Sequence, residues 1–580
     1  MAPYHITRAP YVGSRRKLVL AFDVGTTFSG VSYSILDPGQ PPEIKGVTKF
    51  PAHEQISGAS KIPTIIYYDK AGNVCAVGAE ALTEGIFETA EEEGWIKAEW
   101  FKMHIRPKNE ASSHITARIP ALPPNKTVVQ VLADFLVYLY KKDIDFVISH
   151  PNGWEGYQQT QMREAVVKAG FVPDTREGHA RVSFVTEGEA SLHFSIRNGL
   201  PTGAMEKGDG VVIVDAGGGT IDISTYSRQV QPGYVPKDNV FEEIAAPQCH
   251  FYGSVFVSIH ARLALQELLE ESDYLDDLDH IVRCFDRTTK IRFSDDSQAQ
   301  YIKFGSTRDN DANCGIRFGQ LKVAGEQVAS FFEPSIKCIV DAIKDQIKTA
   351  HKRISHVVLV GGFASSDWLF TQVQSRLSGD GLNTIRPEIY VNKAVSDGAI
   401  SFYLDHLVKT RVSKMAYGTF RHIEYDASDA EHRVRLASTQ IMPSGRKVVP
   451  DSFAVILPRN MQVQEEKEFQ KKFWKEGVSK EELNLDKVTS EVWAYTGNSA
   501  NPKWKNVEED CYKKLCTIEM DLSHLPLRPS DKVEGTGDFF YLEYGYILQF
   551  SAVELKAQIS WVENGAEKRS PAKIVYDPDD

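Results

Sequence analysis

The stretch LVLAFDVGTTFSGVSYS, from Leu18 to Ser34, has a counterpart later in the chain, VVIVDAGGGTIDISTYS, from Val211 to Ser227. Each stretch contains an apolar run, an aspartate, a turn of small residues and a second apolar run. This pattern predicts two antiparallel strands joined by a tight turn. Asp23 and Asp215 occupy the same place in the two stretches, at a domain-sized spacing. The sequence therefore predicts a duplicated domain rather than a short repeat.

Strand-like and helix-like segments alternate between and after these two stretches. Apolar runs bounded by turn residues predict strands at residues 145–149, 181–185 and 356–360. Longer periodic patterns predict helices at residues 155–169, 188–197, 255–270 and 394–407. Such alternation is typical of an α/β architecture.

The pattern changes near residue 410, where strand-like runs begin to alternate with charged, turn-rich segments such as residues 464–475. The runs lie at residues 453–457, 516–520 and 544–550. We therefore expect a smaller β-rich C-terminal domain over residues 409–580. Before it we expect a flexible basic tail over residues 1–17 and an α/β domain over residues 18–408. The two lobes of that domain are expected at about residues 18–205 and 206–408.

Composition and charge disfavour several classes of protein. The 580-residue chain has a formal net charge of −12, whereas a nucleic-acid-binding protein usually presents a basic surface. No apolar run reaches the roughly 18–20 residues that cross a bilayer, and the N-terminus lacks the apolar core of a signal peptide. The seven cysteines include no Cys-x-x-Cys pair, so neither a disulfide framework nor a zinc site is expected. These features predict a cytoplasmic protein without a membrane span.

The two turns carry the residue types that bind a nucleotide with Mg²⁺. Phosphate oxygens need backbone N–H donors, which glycines bring close, and a hydrated metal needs carboxylates. In the first turn, Asp23 is followed by Gly25, Thr26 and Thr27. In the second turn, Asp215 is followed by Gly217, Gly218, Gly219, Thr220 and a further carboxylate, Asp222. Together the turns predict a phosphate clamp.

A third glycine turn follows the strand predicted at residues 356–360. There the run VLVGGF contains the pair Gly361 and Gly362. Because it follows the second phosphate turn, it predicts a contact with the nucleoside. Other nucleotide and hydrolase signatures are absent from the sequence, which has no G-x-x-x-x-G-K-[ST] loop, H-E-x-x-H or G-x-S-x-G.

These three turns, in this order, resemble the phosphate-1, phosphate-2 and adenosine motifs of the actin, sugar-kinase and heat-shock-protein-70 superfamily. Two connecting regions are similar to heat shock protein 70 in particular. The first contains HPNGW at 150–154, MREAVVKAG at 162–170 and VTEGEA at 185–190, and the second contains AVSDGA at 394–399. The run EWFKM at 99–103 and the C-terminus without a helical lid resemble the divergent 12A-type branch.

The resemblance covers about residues 18–408. It implies a duplicated actin-like (ribonuclease H-like) ATPase domain of two lobes that binds ATP or ADP with Mg²⁺. By the same resemblance, Asp23 and Asp215 hold the Mg²⁺ through water, and Glu187 positions the attacking water. Lys102 and Thr220 contact the γ-phosphate.

The resemblance is less specific around the base. Phe363 and Ser365 stand where the family contacts the adenine with serine and arginine. Asp286, Lys290 and Arg292 fall where the family places its adenine-contacting helix, and a solvated helix face explains these three residues equally well.

The sequence also departs from the family. Gly188 follows Glu187 where the family usually has proline, and residues 406–410 replace the acidic, leucine-rich linker. Without that linker and a lid, we expect the C-terminal domain to bind a protein or peptide partner with weak coupling to the nucleotide.

Three functions stay open at this point. The first is an ATPase with a chaperone-like partner domain, the second a nucleotide-dependent scaffold with negligible turnover, and the third a small-molecule kinase of the same fold. The presence of Asp23, Lys102, Glu187 and Asp215 favours hydrolysis. The connecting regions similar to heat shock protein 70 disfavour a kinase.

Overall fold

The computed structural model describes most of the chain, in the ranges 8–48, 50, 52, 61–107, 118–139, 144–154, 156–198, 200, 208–229, 240–387, 391–465, 467–527, 529–535, 537–551, 554–571 and 573–574. The chain divides into two compact units. The first unit contains residues 1–154 and 158–408, and the second contains residues 409–580 together with residues 155–157.

The first unit combines several sheets with flanking helices, which confirms the predicted mixed α/β architecture. Its strands are β1 (Lys17–Val24), β2 (Phe28–Leu36), β3 (Lys45–Gly46), β4 (Ile62–Pro63), β5 (Ile65–Tyr68), β6 (Val74–Val77), β7 (Ile96–Glu99), β8 (Asp145–His150), β9 (Val182–Thr186), β10 (Gly210–Ala216), β11 (Ile221–Arg228), β12 (Phe241–His250), β13 (Gln300–Lys303), β14 (Ile316–Arg317), β15 (Gln320–Val323), β16 (Ile354–Val360) and β17 (Asn383–Ile385).

The helices that precede residue 408 are α1 (Ile86–Glu93), α2 (Val128–Leu139), α3 (Gly156–Lys168), α4 (Arg176–His179), α5 (Glu187–Arg197), α6 (Ser254–Leu268), α7 (Leu278–Cys284), α8 (Lys290–Arg292), α9 (Gly325–Thr349), α10 (Asp367–Leu377) and α11 (Ala394–Asp405). A π-helical turn, Phe285–Thr289, joins α7 to α8. The strands and helices predicted before residue 408 all form, with ends within two residues of the predicted ones.

Two sheets of the first unit share one pattern of strand directions. In the first sheet the order is β3-β2-β1-β8-β9, with β1 antiparallel to β2 and parallel to β8. In the second sheet β12, β11, β10, β16 and β17 are neighbours in that order, with β10 antiparallel to β11 and parallel to β16. The hairpins β1–β2 and β10–β11, which carry the two glycine turns, thus occupy equivalent places in the two sheets.

Apolar side chains fill the space between the second sheet and its helices. The strand β10 is buried along its whole length, and its alternate faces contribute Val212 and Val214 to one core and Val211 and Ile213 to another. A strand buried on both faces reads as a continuous apolar run, which explains the sequence VVIV before Asp215.

The second unit is built mainly of antiparallel strands. They are β18 (Val408–Val412), β19 (Ala416–Glu424), β20 (Gln440–Ile441), β21 (Lys447–Leu457), β22 (Gln462–Gln464), β23 (Glu468–Gly477), β24 (Val488–Tyr495), β25 (Tyr512–Met520), β26 (Ser530–Asp531), β27 (Asp538–Ser551), β28 (Glu554–Glu563), β29 (Ala566–Arg569) and β30 (Lys573–Ile574), with one short helix, α12 (Ala430–Val434). One sheet has the order β20-β21-β19-β24-β25 and another has β23-β27-β28-β29. Apolar side chains of both sheets meet in one core.

One prediction for this part of the chain is wrong. Residues 464–475 were expected to be a charged, turn-rich segment, but β23 crosses most of it and pairs with β27 along its full length. Phe469, Lys471 and Phe473 alternate with exposed residues, and only Phe473 is fully buried. The charges between the aromatic residues mask this period of two in the sequence.

Part of the predicted flexible tail contacts the body of the first unit. The Arg8 guanidinium forms a buried ion pair with Asp405 at 2.5 Å and donates a hydrogen bond to Ser401. Arg8 is therefore held against α11, because a buried charge needs its partner. Residues 1–7 lie outside the described part of the chain.

Within the residues that the structure describes, no helix combines the length and the apolar composition needed to cross a lipid bilayer. All seven cysteines are among those residues, and each is a free thiol.

The packing of α5 on α11 generates the first testable prediction. A Cβ atom at Gly398 of α11 would lie 1.8 Å from the carbonyl oxygen of Ala190 in α5, so Gly398→Ala must push the two helices apart. We expect the free energy of unfolding to fall by about 1–3 kcal/mol, the usual cost of overpacking, as measured by urea denaturation. Gly379→Ala is the matched control, because a Cβ there meets nothing within 4 Å. Equal stability of the two variants would contradict this account of the packing.

Candidate functional site

The predicted phosphate turns line one cavity of the first unit, with a volume of about 370 Å³. Its lining is Asp23, Gly25, Thr26, Thr27, Phe28, Lys61, Lys102, Glu187, Asp215, Gly217, Gly218, Gly219, Thr220, Gly361, Gly362, Ser365, Val391, Asn392 and Val395. The cavity thus collects residues that are up to 372 positions apart in the sequence, the span from Asp23 to Val395.

The two turns approach each other closely because glycine has no side chain. A Cβ atom at Gly218 would lie 2.3 Å from Thr27 Oγ1, and one at Gly219 would lie 2.5 Å from Thr26 Oγ1. Gly25 is equally constrained, since its Cβ would lie 2.2 Å from the Phe28 carbonyl oxygen. Glycine is therefore required by space at these three positions, and the backbone N–H groups of both turns are brought to one cavity.

The third glycine turn, at Gly361 and Gly362, lies against the carboxylate of Asp215. Gly361 follows β16, whose last residue, Val360, is paired with Asp215 of β10. Gly361 has φ +90°, in the left-handed region that favours glycine, and a Cβ there would lie 2.4 Å from Asp215 Oδ1. Only a glycine lets this turn reach the carboxylate.

Lys102 and Glu187 form a buried ion pair in the cavity, with Lys102 Nζ 2.6 Å from Glu187 Oε1. Burial opposes the charged form of Lys102, but the carboxylates of Glu187 and Asp23 outweigh it and raise the lysine pKa. Lys102 lies in the 3-10 turn Phe101–Ile105, and its ammonium is 5.4 Å from the centre of the Trp154 ring. The lysine is thus a permanent cation inside the cavity.

Glu187 owes its position to the start of α5. The Thr186 side chain caps this helix by accepting a hydrogen bond from the Glu189 N–H. A carboxylate in the first turn of a helix is stabilised by the helix dipole. Gly188, which replaces the proline of the resembled family, also has a spatial reason, because a Cβ there would lie 2.2 Å from Ser224 Oγ and 3.0 Å from Asn152 Oδ1.

Asp215 and Asp222 are buried carboxylates at the same level of the β10–β11 hairpin, where they are directly paired. Ser191 Oγ donates to Asp215 Oδ2 at 2.7 Å, and the Asn152 N–H donates to Asp222 Oδ1 at 2.6 Å. Burial and then the negative charge of Glu187 raise the pKa of Asp215 to about 8 and that of Asp222 to about 7. Without a bound cation, both carboxyl groups therefore hold a proton in slightly acidic solution.

Five of the residues considered from the sequence are not part of the cavity lining. Asp222 lies behind it, Phe363 is buried in the apolar core against Phe332, and the other three are Asp286, Lys290 and Arg292. Asp286 and Lys290 form an ion pair at 2.8 Å with each other, and Ser258 bonds to both. Arg292 is exposed, as the alternative of a solvated helix face predicted.

Sequence reasoning missed Lys61, Phe28, Val391, Asn392 and Val395 as lining residues. Lys61 is the most consequential, since its Nζ lies 2.5 Å from Asp23 Oδ2. Lys61 immediately precedes β4, outside every quoted motif, so only its strand pairing could have indicated its place.

The donor groups fit a nucleotide with a hydrated magnesium ion. The glycine turns form a cradle in which a Cβ at Gly25, Gly218, Gly219 or Gly361 would collide with neighbouring atoms, and Asp23 and Asp215 supply carboxylates. In the described residues no three histidine, cysteine, aspartate or glutamate side chains group as direct metal ligands. Magnesium in proteins usually keeps several water ligands and binds one or two carboxylates together with phosphate oxygens, which suits Asp23 and Asp215.

The raised carboxyl pKa values generate a prediction for the nucleotide-free protein. The folded state holds protons that the unfolded chain has released, on Asp215 between about pH 4 and pH 8 and on Asp222 between about pH 4 and pH 7, so stability falls as the pH rises through these ranges. We expect urea denaturation, without nucleotide or Mg²⁺, to show a loss of up to about 1.4 kcal/mol per pH unit for each such proton. Asp215→Asn keeps the shape and removes its titration, so it should flatten the dependence. An unchanged slope would contradict the assignment.

No family model matches the chain. The chain is 22% identical over 494 residues to heat shock 70 kDa protein 12A of Mus musculus, which covers 69% of this chain and 71% of the relative, and the human 12A protein gives the same figures. It is 22% identical over 520 residues to heat shock 70 kDa protein 12B of Homo sapiens, covering 72% and 73%. The resemblance seen in the motifs is therefore confirmed, and heat shock 70 kDa proteins 12A and 12B are among the proteins to which this chain is similar.

Proposed function

We propose that this protein binds ATP and ADP with Mg²⁺ in the cavity of the first unit and hydrolyses ATP slowly. The observation that carries the proposal is the meeting of the two glycine turns, 23–27 and 215–220, around one cavity that also contains the Lys102–Glu187 ion pair. A glycine cradle, fixed cations and buried carboxylates together suit a magnesium triphosphate better than a neutral metabolite.

In this proposal the phosphates occupy the cradle of the two turns. The backbone N–H groups of residues 218–220 and the hydroxyls of Thr26 and Thr27 donate to phosphate oxygens, while the Gly217 N–H closes the turn by donating to the Thr220 carbonyl oxygen. Gly361, Gly362 and Ser365 lie at the nucleoside end, where the absence of side chains on the glycines leaves room for the ribose. Bound Mg²⁺ supplies charge neutralisation of the phosphate oxygens, with Asp23 and Asp215 as its outer carboxylates.

Hydrolysis then depends on Glu187 and Lys102. Lys102 stabilises charge on the γ-phosphate, and as it turns from Glu187 it frees that carboxylate to orient the attacking water. Thr220, at the end of the second turn, contacts the same phosphate. Positioning and electrostatic stabilisation are the main sources of catalysis in phosphoryl transfer, so these groups need no covalent step.

We also propose that residues 18–408 form one actin-like domain, duplicated from a ribonuclease H-like unit, with lobes at about 18–205 and 206–408. The support is the equal strand order of the two sheets and the equivalent placement of β1–β2 and β10–β11. The lobes would close on the nucleotide, since each contributes one phosphate turn. Residues 409–580 would be a β-rich C-terminal domain. The cytoplasmic location remains a prediction from the sequence.

A nucleotide-dependent scaffold without turnover is the alternative that one observation favours. Asp23 and Glu187, two of the groups proposed for catalysis, are each already paired with a lysine, Lys61 and Lys102. If the Lys102–Glu187 pair persists in the bound state, Glu187 is not free to orient the water. Turnover measured together with binding separates the two functions.

For the second unit we propose binding of an extended segment of another polypeptide. A groove of about 560 Å³ on the β23–β27–β28 face is lined by the aromatic residues Tyr541, Tyr544 and Trp561 and by the amides of Gln470 and Asn564. Aromatic rings supply contact area, and amides pair with a peptide backbone, which is the chemistry of extended-segment recognition.

The ATPase proposal predicts a separation of binding from turnover in Glu187→Gln. This change keeps the side-chain shape but removes the carboxylate that orients water. We expect phosphate release to fall about 100-fold or more, while the dissociation constant of ADP with Mg²⁺, measured by calorimetry, changes less than about threefold. Glu99→Gln, which alters only a half-exposed ion pair with Lys97, is the control and should leave both values unchanged.

Each outcome of this experiment decides between the functions. No ADP binding at millimolar concentration would contradict the proposed function altogether. Binding with wild-type turnover in Glu187→Gln would contradict the role of Glu187. Binding without measurable turnover in the wild type would favour the scaffold, and turnover that requires an added sugar or other acceptor would favour a kinase.

The groove proposal predicts that Tyr541→Ala weakens binding of an unfolded polypeptide. Tyr541 is 44% exposed and lines the groove, so its loss should lower the affinity for a fluorescently labelled, reduced and carboxymethylated protein about tenfold. Tyr301→Ala, at a 56% exposed tyrosine of the first unit, should have no effect. We expect the affinity to differ by less than about tenfold between the ATP and ADP states. A hundredfold difference would contradict weak coupling, and equal effects of the two variants would contradict the groove.

A further inference from the structure

The unexpected lysine of the cavity, Lys61, belongs to a row of residues that crosses three neighbouring strands. Asp23 of β1 is paired with Gly30 of β2. On the other side of β2, Ser29 is paired with Ile62 of β4, so the next residues along this register are Gly30 and Lys61. The row therefore reads Asp23, Gly30, Lys61, with the lysine and the aspartate separated by a glycine.

Gly30 provides the path of the lysine side chain. A Cβ atom at Gly30 would lie 3.3 Å from Lys61 Cγ and 3.4 Å from Lys61 Cε, so the aliphatic stem runs directly over the bare glycine. The ammonium then reaches Asp23 Oδ2 at 2.5 Å, and the side chains of Lys61 and Asp23 are only 14% and 4% exposed. A residue with a side chain at position 30 would crowd this stem.

The equivalent row in the second sheet has no such cation. There Asp215 is paired with Asp222, and Asp222 with Cys249. Asp215 accepts a hydrogen bond from Ser191 and, in the described part of the chain, forms no ion pair with a lysine or arginine. The two aspartates proposed to face the metal thus differ in their surroundings. The charge of Asp23 is neutralised by a lysine of the protein, whereas the described residues offer the Asp215 carboxyl group only the hydrogen bond from Ser191.

We infer that Lys61 is an internal counter-ion that takes the place of metal-derived charge at Asp23, so that Mg²⁺ is held from the Asp215 side and Lys61 itself supports the phosphates. The inference rests on the proposed nucleotide binding, within which it replaces the role of Asp23 as an outer carboxylate of Mg²⁺. Its physical basis is that an ammonium fixed in a partly desolvated cavity attracts phosphate oxygens whether or not Mg²⁺ is present. We therefore expect nucleotide affinity to fall less on removal of Mg²⁺ than it would if Asp23 and Asp215 both held the metal.

The measurement is the ratio of the ADP dissociation constants with EDTA and with Mg²⁺, obtained by calorimetry. For the wild type we expect a ratio below about tenfold, because one fixed charge at this range replaces much of the lost attraction. For Lys61→Met the ratio should be larger than the wild-type ratio by about tenfold or more. Lys61→Arg keeps the charge and should retain the wild-type ratio. Lys97→Met, which removes a half-exposed lysine of the same unit, is the control.

The outcomes separate this inference from the proposed function. ADP binding with the same ratio in Lys61→Met and the wild type would overturn the inference and leave the proposed function intact. Absence of ADP binding by the wild type in both buffers would overturn both. If Lys61→Met fails to fold because Asp23 is left buried and unpaired, the double variant Asp23→Asn with Lys61→Met removes both charges. The same enlarged ratio is expected of it, and a wild-type ratio there would overturn the inference.

Discussion

The approach of one glycine turn to the other is the constraint on which the cavity depends. Gly218 and Gly219 face Thr27 and Thr26 at distances that leave no space for a Cβ atom. Every donor group of the proposed phosphate site is placed by this contact, because both hairpins end there. Glycine at these two positions is a requirement of space, which explains two of the three consecutive glycines that follow the buried strand β10.

The electrostatics of the cavity follow from bringing carboxylates together in a buried place. Such groups must find cations or keep protons, since an isolated buried charge is costly. Three solutions occur side by side: Glu187 pairs with Lys102, Asp23 pairs with Lys61, and Asp215 has its pKa raised. The cavity is thereby nearly neutral when empty and has charges ready to reorganise around an anionic ligand.

The two connecting regions, at residues 150–190 and 394–399, position these charged side chains. They do so through close packing at Gly398 and Gly188 and through hydrogen bonds from Asn152. Gly398 lets α11 lie against the backbone of α5, which begins with Glu187. Asn152 donates from its backbone to Asp222 and from its side chain to the Ile223 carbonyl oxygen, so a loop after β8 is tied to β11. The departure from proline at Gly188 has its reason here, since Asn152 and Ser224 occupy the space beside it.

The sequence by itself determined the mixed α/β architecture, the two hairpins with their glycine turns, and the other strands and helices predicted between residues 145 and 407. These features are local patterns of apolar period and turn composition, and a chain carries them without its tertiary contacts. The choice of Lys102 and Glu187 as site residues was instead implied by the resemblance to heat shock protein 70. The sequence did not show that residues 464–475 contain a strand, because charged residues interrupt the alternation of apolar and polar residues on which such a prediction depends. The pairing of Lys61 with Asp23 and the burial of Phe363 away from the cavity were decided only by tertiary structure. Both depend on which strands lie next to each other and on the space left by a glycine, and neither is encoded within reach of a single motif.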